Sequence, residues 1–595
     1  MLSFDRYSRW LWVVALVSVL GIGTAIRLIE VTYDRYDFDE YHLRLDVDQN
    51  LLEYYRHLEG TDAIQFAVHY WLTHRLLGGS LIAYRAASLA AGLAVLVLVP
   101  LGLRRAWPAH QSLMITVPLL MILNADALYL TRYAMFPYGN TYLLSAGLFF
   151  LFLRLARGPL PRRQWLLITV ALPVVAFFAN DFLIVALAVG ACAVMLFRAA
   201  PSGRSERLRA LATAAWEMKP LLILPAVFAL RQVAFPYTNW GAAVRSDQVD
   251  LYFPTSGYPA TVEGLAGFLV SNTRSLFWSV LAPAGVQNQP YVRIAWLGIC
   301  ACLVALSCLH VLRRRADRAT TFTFTFLLLC VTALAVGGLT GLYPYGSARY
   351  TPFLFLPTAI MIGMGTWLAY GWVAARVDTP RLWVALFTGL VGIIVVSGVV
   401  VCVARWAKIT AIHQDDEHGI AWLTQQDPDL VLSDYYLFHT LADKLPTLRD
   451  RLRTMGRGTY LDRGQDVVPD EIAEIIADPL NRSRTDTILV VLYPHGYGRT
   501  DQYRGFAHRH PRWESAITSY FALTSTHRSF HMDALLYRRI EPVAHWRADP
   551  VGTLAQGAGW DAAHLLHETI NIWRPPPDCR PAMLRTSPQS CPLER

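Results

Sequence analysis

From near its N-terminus to about residue 404 the chain is a succession of apolar runs, each close to the length that crosses a bilayer. A helix needs about 20 apolar residues to span the hydrocarbon core. Inside a membrane only helices and closed barrels satisfy every backbone polar group. Continuous runs of this length therefore point to an α-helical polytopic membrane protein. They lie at 11–29, 81–102, 112–130, 139–154, 164–180, 182–198, 220–236, 292–312, 320–341, 351–372 and 382–404, roughly eleven transmembrane helices by this criterion. Asn180 and Asp181 interrupt one long stretch and predict a tight turn between two spans. The charge content agrees: 16% of the residues are charged, against about 25% in a soluble domain.

The pattern changes near residue 405, beyond which the sequence is that of an ordinary polar globular chain. The expected organisation is a membrane domain over 1–404 and a soluble α/β domain over 405–595. Asp429–Ser433 and Thr487–Leu492 are short apolar runs followed by polar turns, as buried strands are. Ala534–Tyr537 predicts a late strand, and helical stretches fall around 434–445 and 469–477. Pro575, Pro576 and Pro577 predict an extended, Pro-rich tail.

The net charge of +9 suggests nucleic acid only until the arginines are placed. Arg104 and Arg105, Arg157, Arg162 and Arg163, Arg204, Arg207, Arg209 and Lys219, Arg313, Arg314, Arg315 and Arg318, and Arg376 and Arg381 sit in alternate loops between the spans. That is the positive-inside signature, and it excludes a nucleic-acid footprint, which needs a soluble basic face. The first run follows Arg6 and Arg9, is as long as a span and reads as an uncleaved helix rather than a signal peptide. With a cytoplasmic N-terminus every inner loop is basic, and an odd number of spans makes the C-terminal domain extracytoplasmic. Two long outer loops result, over 30–80 and 237–291. Within the first, Ala63–Leu77 predicts an amphipathic helix in the interface, with Ile64, Val68, Trp71 and Leu72 at helical spacing and Gln65, His69 and His74 as polar positions. In the second, Trp278 lies in a short apolar stretch at the membrane edge.

Six cysteines, Cys192, Cys300, Cys302, Cys308, Cys330 and Cys402, fall in predicted helices and act as small hydrophobes. Cys579 and Cys591 lie in the exported tail, where a disulfide is expected. His439, His495, His508, His510 and His531 are scattered and read as surface or core residues, with no zinc spacing.

Chemistry-bearing residues gather in outer segments. Just past the first span the chain reads Tyr33-Asp-Arg-Tyr-Asp-Phe-Asp-Glu-Tyr-His42, which brings Asp37, Asp39, Glu40 and His42 to the outer surface together. Carboxylates crowded beside a low-dielectric boundary hold protons more readily, the condition a general base needs. After the third span come Asn124, Asp126, Arg132 and Tyr138, and after the ninth Tyr343, Tyr345, Arg349 and Tyr350. Asp126 falls at the end of a span, where an ionisable group is costly and marks function by default. Arg132 and Arg349 suit pairing with the acids or with a phosphate through a planar fork.

At these residues the sequence resembles the membrane glycosyltransferases of the C-type fold (GT-C), most closely the protein O-mannosyltransferase and aminoarabinose-transferase branch. Four features carry the resemblance over about residues 1–404: the Asp39-Glu40 pair after the first helix, the juxtamembrane helix in the same loop, the Arg132 to Tyr138 stretch, and the Arg349 to Pro357 stretch that opens a late helix. The family often has a second arginine before its Pro-Tyr, where this chain has Phe136. The resemblance implies transfer of a sugar, with inversion, from a polyprenyl-phosphate donor to a lipid, glycan or protein acceptor on the outer face. Asp39 would be the base and Glu40 would orient the site or bind Arg132. Arg132 and Arg349 would stabilise the departing lipid phosphate, and Tyr138 would line the pocket. Because the leaving group is already a phosphate, no nucleotide site is needed. A divalent metal beside Asp37 and Asp39 stays open. The competing reading is a non-enzymatic polytopic transporter or envelope-assembly protein with an outer binding domain; transporters gather polar residues at the midplane, whereas here they gather at the outer face.

Overall fold

The computed structural model describes residues 2–31, 47, 50–57, 64–110, 112–124, 136–178, 182–199, 203–234, 262–281, 290–339, 351–374, 376, 380–455, 468–477, 485–493, 506, 510–529 and 532–540. Contacts divide the chain into two compact units, with the boundary between Ala404 and Arg405.

Among its described residues the first unit is built of helices: α1 (Leu2–Val31), α2 (Leu51–His57), α3 (Ile64–Leu77), α4 (Leu81–Ala106), α5 (Leu113–Leu123), α6 (Phe136–Arg157), α7 (Arg162–Phe177), α8 (Phe182–Arg198), α9 (Arg204–Glu217), α10 (Ile223–Ala234), α11 (Val262–Leu281), α12 (Pro290–Leu312), α13 (Arg318–Leu339) and α14 (Phe355–Ala374). The next helix, α15 (Pro380–Gln426), begins in the first unit and ends in the second.

The described part of each apolar run is helical, almost all of it on these helices; the runs at 112–130, 164–180, 220–236 and 320–341 extend beyond the described residues. Five described segments are long and apolar enough to cross a membrane: Leu81–Ala106, Gly139–Arg157, Ile294–Leu312, Arg318–Leu339 and Pro352–Val373. A sixth would be the pair Arg204–Glu217 and Lys219–Arg231, which is bent by 52°. Val13–Ile29, Leu113–Ile122 and Ala186–Arg198 are shorter apolar helices. The chain is thus a multi-pass membrane protein, and the count of roughly eleven spans is not reached among the described residues. One difference is the 20-residue helix α11 inside the second long outer loop. Glu263, Asn272 and Arg274 interrupt its apolar run, which hides it from a criterion built on uninterrupted hydrophobicity.

Capping and packing follow from local sequence. Ser80 accepts a hydrogen bond from the Ala83 amide at the start of α4, 3.2 Å, and Asp317 does the same for Thr320 of α13, 2.7 Å. The core of the bundle is aromatic: Phe149 and Phe152 of α6 meet Phe322 and Phe326 of α13. Val13, Val14 and Val17 of α1, and Leu166, Leu167, Val170 and Val174 of α7, stay exposed, as side chains that face lipid do. Where helices come closest the contact residue is glycine: a Cβ on Gly365 of α14 would stand 2.1 Å from the Leu303 carbonyl oxygen of α12.

The second unit carries a five-stranded sheet of β1 (Leu430–Ser433), β2 (Leu452–Thr454), β3 (Thr487–Leu492), β4 (Phe521–Arg528) and β5 (Asp533–Arg539), in the order β2-β1-β3-β5-β4. β1 is parallel to β2 and β3, and β5 is antiparallel to β3 and β4. Alternate residues of the central strands feed opposite faces. Ile488, Val490 and Leu535 join Ile476, Trp513 and Ile517 on one side. Leu489, Val491 and Leu536 join Leu423, Leu437 and Leu441 on the other. Asp434 ties the layers: buried, it accepts from the Leu437 amide at 3.2 Å, capping helix Tyr435–Lys444, and from the Tyr493 amide at 2.5 Å just past β3. Of the scattered histidines, His510 is buried beside Phe506. The six cysteines Cys192, Cys300, Cys302, Cys308, Cys330 and Cys402 are free and sit on helices.

Candidate active site

Asp37, Asp39, Glu40, His42, Asp126, Arg132, Arg349 and Tyr350 lie outside the described residues, as do Cys579 and Cys591. Tyr138 belongs to the first turns of α6, but its side chain is outside the described set. What the structure describes is the frame to which these segments attach.

That frame is one end of the helical unit. Arg85, near the start of α4, donates to the Val31 carbonyl at the end of α1, 3.4 Å. Gly23 of α1 packs on Ile122 of α5, one residue before that helix ends at Leu123. Tyr142, early in α6, packs its ring edge-on against Phe355, the first residue of α14, with centroids 5.8 Å apart. Arg27 of α1 is close enough to Tyr142 for its charge to act on the buried, neutral phenol. The end of α1, the end of α5 and the starts of α6 and α14 therefore share one end of the bundle. These four termini lead directly into residues 32–46, 125–135 and 340–350.

The interior here is polar. Helix α3 turns Gln65, His69 and Thr73 inward with Phe66 and Tyr70, while Leu72, Leu76 and Leu77 stay exposed. This corrects the amphipathic reading in part: Ile64 is buried and Val68 and Trp71 pack on the core, but Leu72 is exposed, and Gln65 and His69, read as polar positions of an interfacial helix, are buried. The reason is the identity of the two surroundings: lipid accepts leucine, and only the protein interior offers His69 a partner. Its Nε2 lies 3.1 Å from the Tyr84 carbonyl, so that nitrogen carries a proton, and Nδ1 is left to accept from Thr73 at 3.5 Å. Tyr84 stacks on Tyr70 with centroids 4.6 Å apart, and its hydroxyl lies 2.9 Å from His74 Nδ1. Asn124, at the end of α5, donates to the Val280 carbonyl of α11 at 2.8 Å.

Arg27 stands out within this interior. It is 2% exposed, and its Nη1 donates to the Gly23 carbonyl of its own helix at 3.1 Å. Nε and Nη2 are buried with no partner among the described residues. The hydroxyls of Tyr142 on α6, Ser88 on α4 and Thr358 on α14 are in the same condition. A buried guanidinium with unsatisfied donors is costly, so such a group calls for an anion, and the phenol and the two alcohols can each donate to the same kind of ligand. Sequence reasoning passed over Arg27 and Arg85. The signal was present, an arginine inside each of two apolar runs.

The basic loops gather at the opposite end. Arg157 donates to the Arg105 and Ala106 carbonyls, 3.3 and 2.5 Å. Arg198 donates to the Leu155 carbonyl at 2.8 Å, and the Trp107 indole donates to Thr320 at 3.0 Å. Here His110 packs on Trp367, its ring centroid 4.3 Å away, and burial lowers its pKa against the opposing pull of Asp317.

No family model matches the chain, and no curated protein sequence does. Among solved structures it is similar to ArnT from Cupriavidus metallidurans in the apo state, at 12% identity and TM-score 0.41, over 90% of this chain and 97% of that one. It is also similar to the same protein bound to undecaprenyl phosphate, at 13% identity and TM-score 0.42, over 88% and 98%. At TM-scores below 0.5 these likenesses decide neither fold nor activity.

Proposed function

We propose that the chain is an integral membrane glycosyltransferase that moves a sugar from a polyprenyl-phosphate donor to an acceptor hydroxyl at the extracytoplasmic face. The observation that carries the reading is the shared end of the bundle. Four helix termini there lead into the segments that hold the acids, arginines and tyrosines, and the interior between them holds a buried arginine in want of an anion. The basic loops lie at the other end. By the positive-inside rule that end faces the cytoplasm, which makes the polar end extracytoplasmic, where the C-terminal unit would also stand.

In the proposed reaction the acceptor oxygen attacks the anomeric carbon as the carbon–oxygen bond to the lipid phosphate breaks. The acceptor proton passes to Asp39, and the departing lipid phosphate takes the bonding electrons. Inversion at the anomeric carbon follows from a single displacement. Glu40 orients the site, with Asp37, His42 and Asp126 beside the substrates. Arg132 and Arg349 meet the charge that develops on the phosphate, with Tyr138 and Tyr350 lining its pocket. Arg27, one turn inside α1, adds a cation that the sequence motifs do not include.

The test is sugar transfer by purified protein in lipid, with a panel of radiolabelled polyprenyl-phosphate sugars. Wild type is compared with Asp39→Asn. Turnover that disappears in the variant while donor binding persists supports the assignment. Equal turnover in both refutes Asp39 as the base. Uptake of a sugar lipid into vesicles without transfer would favour a transporter instead.

A further inference from the structure

A crevice of about 430 Å³ opens at the basic end of the bundle, away from the candidate active site. It is walled by the end of α6, the end of α8, the surface helix α9 and the start of α13, and it is lined by Arg157, Arg198, Arg209, Arg318, Glu206 and Glu217. We propose that this crevice binds the head group of an anionic phospholipid of the cytoplasmic leaflet.

The charges are not balanced internally. Glu217 is taken up by its ion pair with Arg198. Arg198 is nearly buried, its Nε is committed to the Leu155 carbonyl, and its Nη2 still has no partner among the described residues. Arg157 is held in place by two backbone carbonyls. Arg209 and Arg318 have neither an ion pair nor a hydrogen bond among the described residues, and of the acids lining the crevice only Glu206 is left to face them. The nearby Asp317 is engaged as the cap of α13. Two anchored guanidinium groups, Arg157 and Arg198, and two exposed ones, Arg209 and Arg318, around one opening suit the oxygens of a phosphate diester.

The surroundings identify a lipid rather than a soluble phosphate. Helix α9 leaves Leu208 and Trp216 exposed, and Leu222 follows in the same condition at the 52° bend into α10. Lys219 stands over the Trp216 ring at 3.8 Å. Exposed leucine and tryptophan beside lysine and arginine mark the level of the lipid head groups. These apolar side chains lie outside the crevice lining and set the depth of α9, so that the crevice opens at the level where a lipid head group would sit. Basic pockets between helices on the cytoplasmic side bind such lipids.

The experiment is native mass spectrometry of the full-length protein in neutral detergent with phosphatidylglycerol, phosphatidylcholine or inorganic phosphate. Phosphatidylglycerol should stay bound where phosphatidylcholine does not. Each of Arg209→Gln and Arg318→Gln should weaken binding about fivefold, the effect of one cation beside an anionic lipid, and Arg209→Lys should restore most of it. Glu206→Gln should tighten binding by a similar factor, a gain that no folding defect can imitate. The proposal is overturned if both lipids bind alike, if the double variant retains phosphatidylglycerol as wild type does, or if millimolar inorganic phosphate displaces the lipid completely.

Discussion

Arg27→Met separates a guanidinium kept for a ligand from one kept for structure. The wild-type side chain is fully buried; among the described residues it has one hydrogen bond, to the Gly23 carbonyl, and two nitrogens without partners. An arginine at the centre of a spanning helix costs about 2.5–3.5 kcal/mol. Arg27 lies one turn from the end of α1 at Val31, so its cost belongs near the lower figure. Removing the charge recovers most of that and forfeits about 1 kcal/mol of hydrogen bond to Gly23. The unliganded variant should therefore be more stable by about 1–2 kcal/mol, in line with replacing buried ionic groups by apolar ones of similar size. In a domain of this size that is a rise in melting temperature of a few degrees. Activity should move the other way, down by about 10²–10³, the effect of deleting one donor to a developing oxyanion. The stabilisation that wild type gains from saturating donor should largely vanish. The assay is thermal unfolding in detergent with and without a polyprenyl-phosphate sugar, beside the transfer rate. A variant that melts several degrees lower without ligand would refute the reasoning, because it would mean the guanidinium is already satisfied within the protein.

Gly365→Ala places a methyl 2.1 Å from the Leu303 carbonyl oxygen, and backbone cannot swing aside. α12 and α14 must separate, at about 3 kcal/mol or more, read as a drop in melting temperature. Gly298→Ala on α12 meets nothing within 4 Å and should be neutral or slightly stabilising. On β4, His527 stacks on Trp422 at 5.0 Å, and burial depresses its pKa below 6.5, with His418 adding to the shift and Asp415 opposing it. A depressed histidine binds fewer protons folded than unfolded, so the stability it contributes is present above the ordinary value and is lost as pH falls through the folded one. Hydrogen exchange of residues 521–539, corrected for intrinsic rates, should show weaker protection at about pH 5.5 than at about pH 7.5, and His527→Gln should flatten that difference. If Cys579 and Cys591 are bridged, a reducible mobility shift should appear on electrophoresis and be absent in Cys579→Ser.

Much of the helical frame was legible because lipid and backbone leave so few choices. The described part of each apolar run is helical, and the runs at 487–492 and 534–537 are strands since six or fewer apolar residues between polar turns suit a buried strand. The reading failed where burial and hydrophobicity part company. α3 was read as an interfacial amphipathic helix with its polar positions toward water, but beside a membrane polar residues also turn to the protein interior. There the discriminating residues are the polar ones, and Gln65, His69 and Thr73, spaced four apart, mark the inward face. α11 was hidden for the converse reason, that a helix may carry Glu263, Asn272 and Arg274 without ceasing to be a helix.

The same inversion governs where a site should be sought in such a chain. In water an arginine is unremarkable and an exposed leucine is noticed; in a spanning helix the leucine is free and the arginine must be accounted for. Arg27 and Arg85 were each visible as a lone cation in an apolar run. Arg85 is accounted for by the Val31 carbonyl at the end of α1. For Arg27 the described protein offers only the carbonyl of Gly23 one turn back. That difference between two arginines of the same end of the bundle is the physical reason to place an anion beside α1. Under the proposed function that anion is the lipid phosphate; a carboxylate of the acidic segment after Val31 would instead make a structural ion pair, and the melting behaviour of Arg27→Met separates the two.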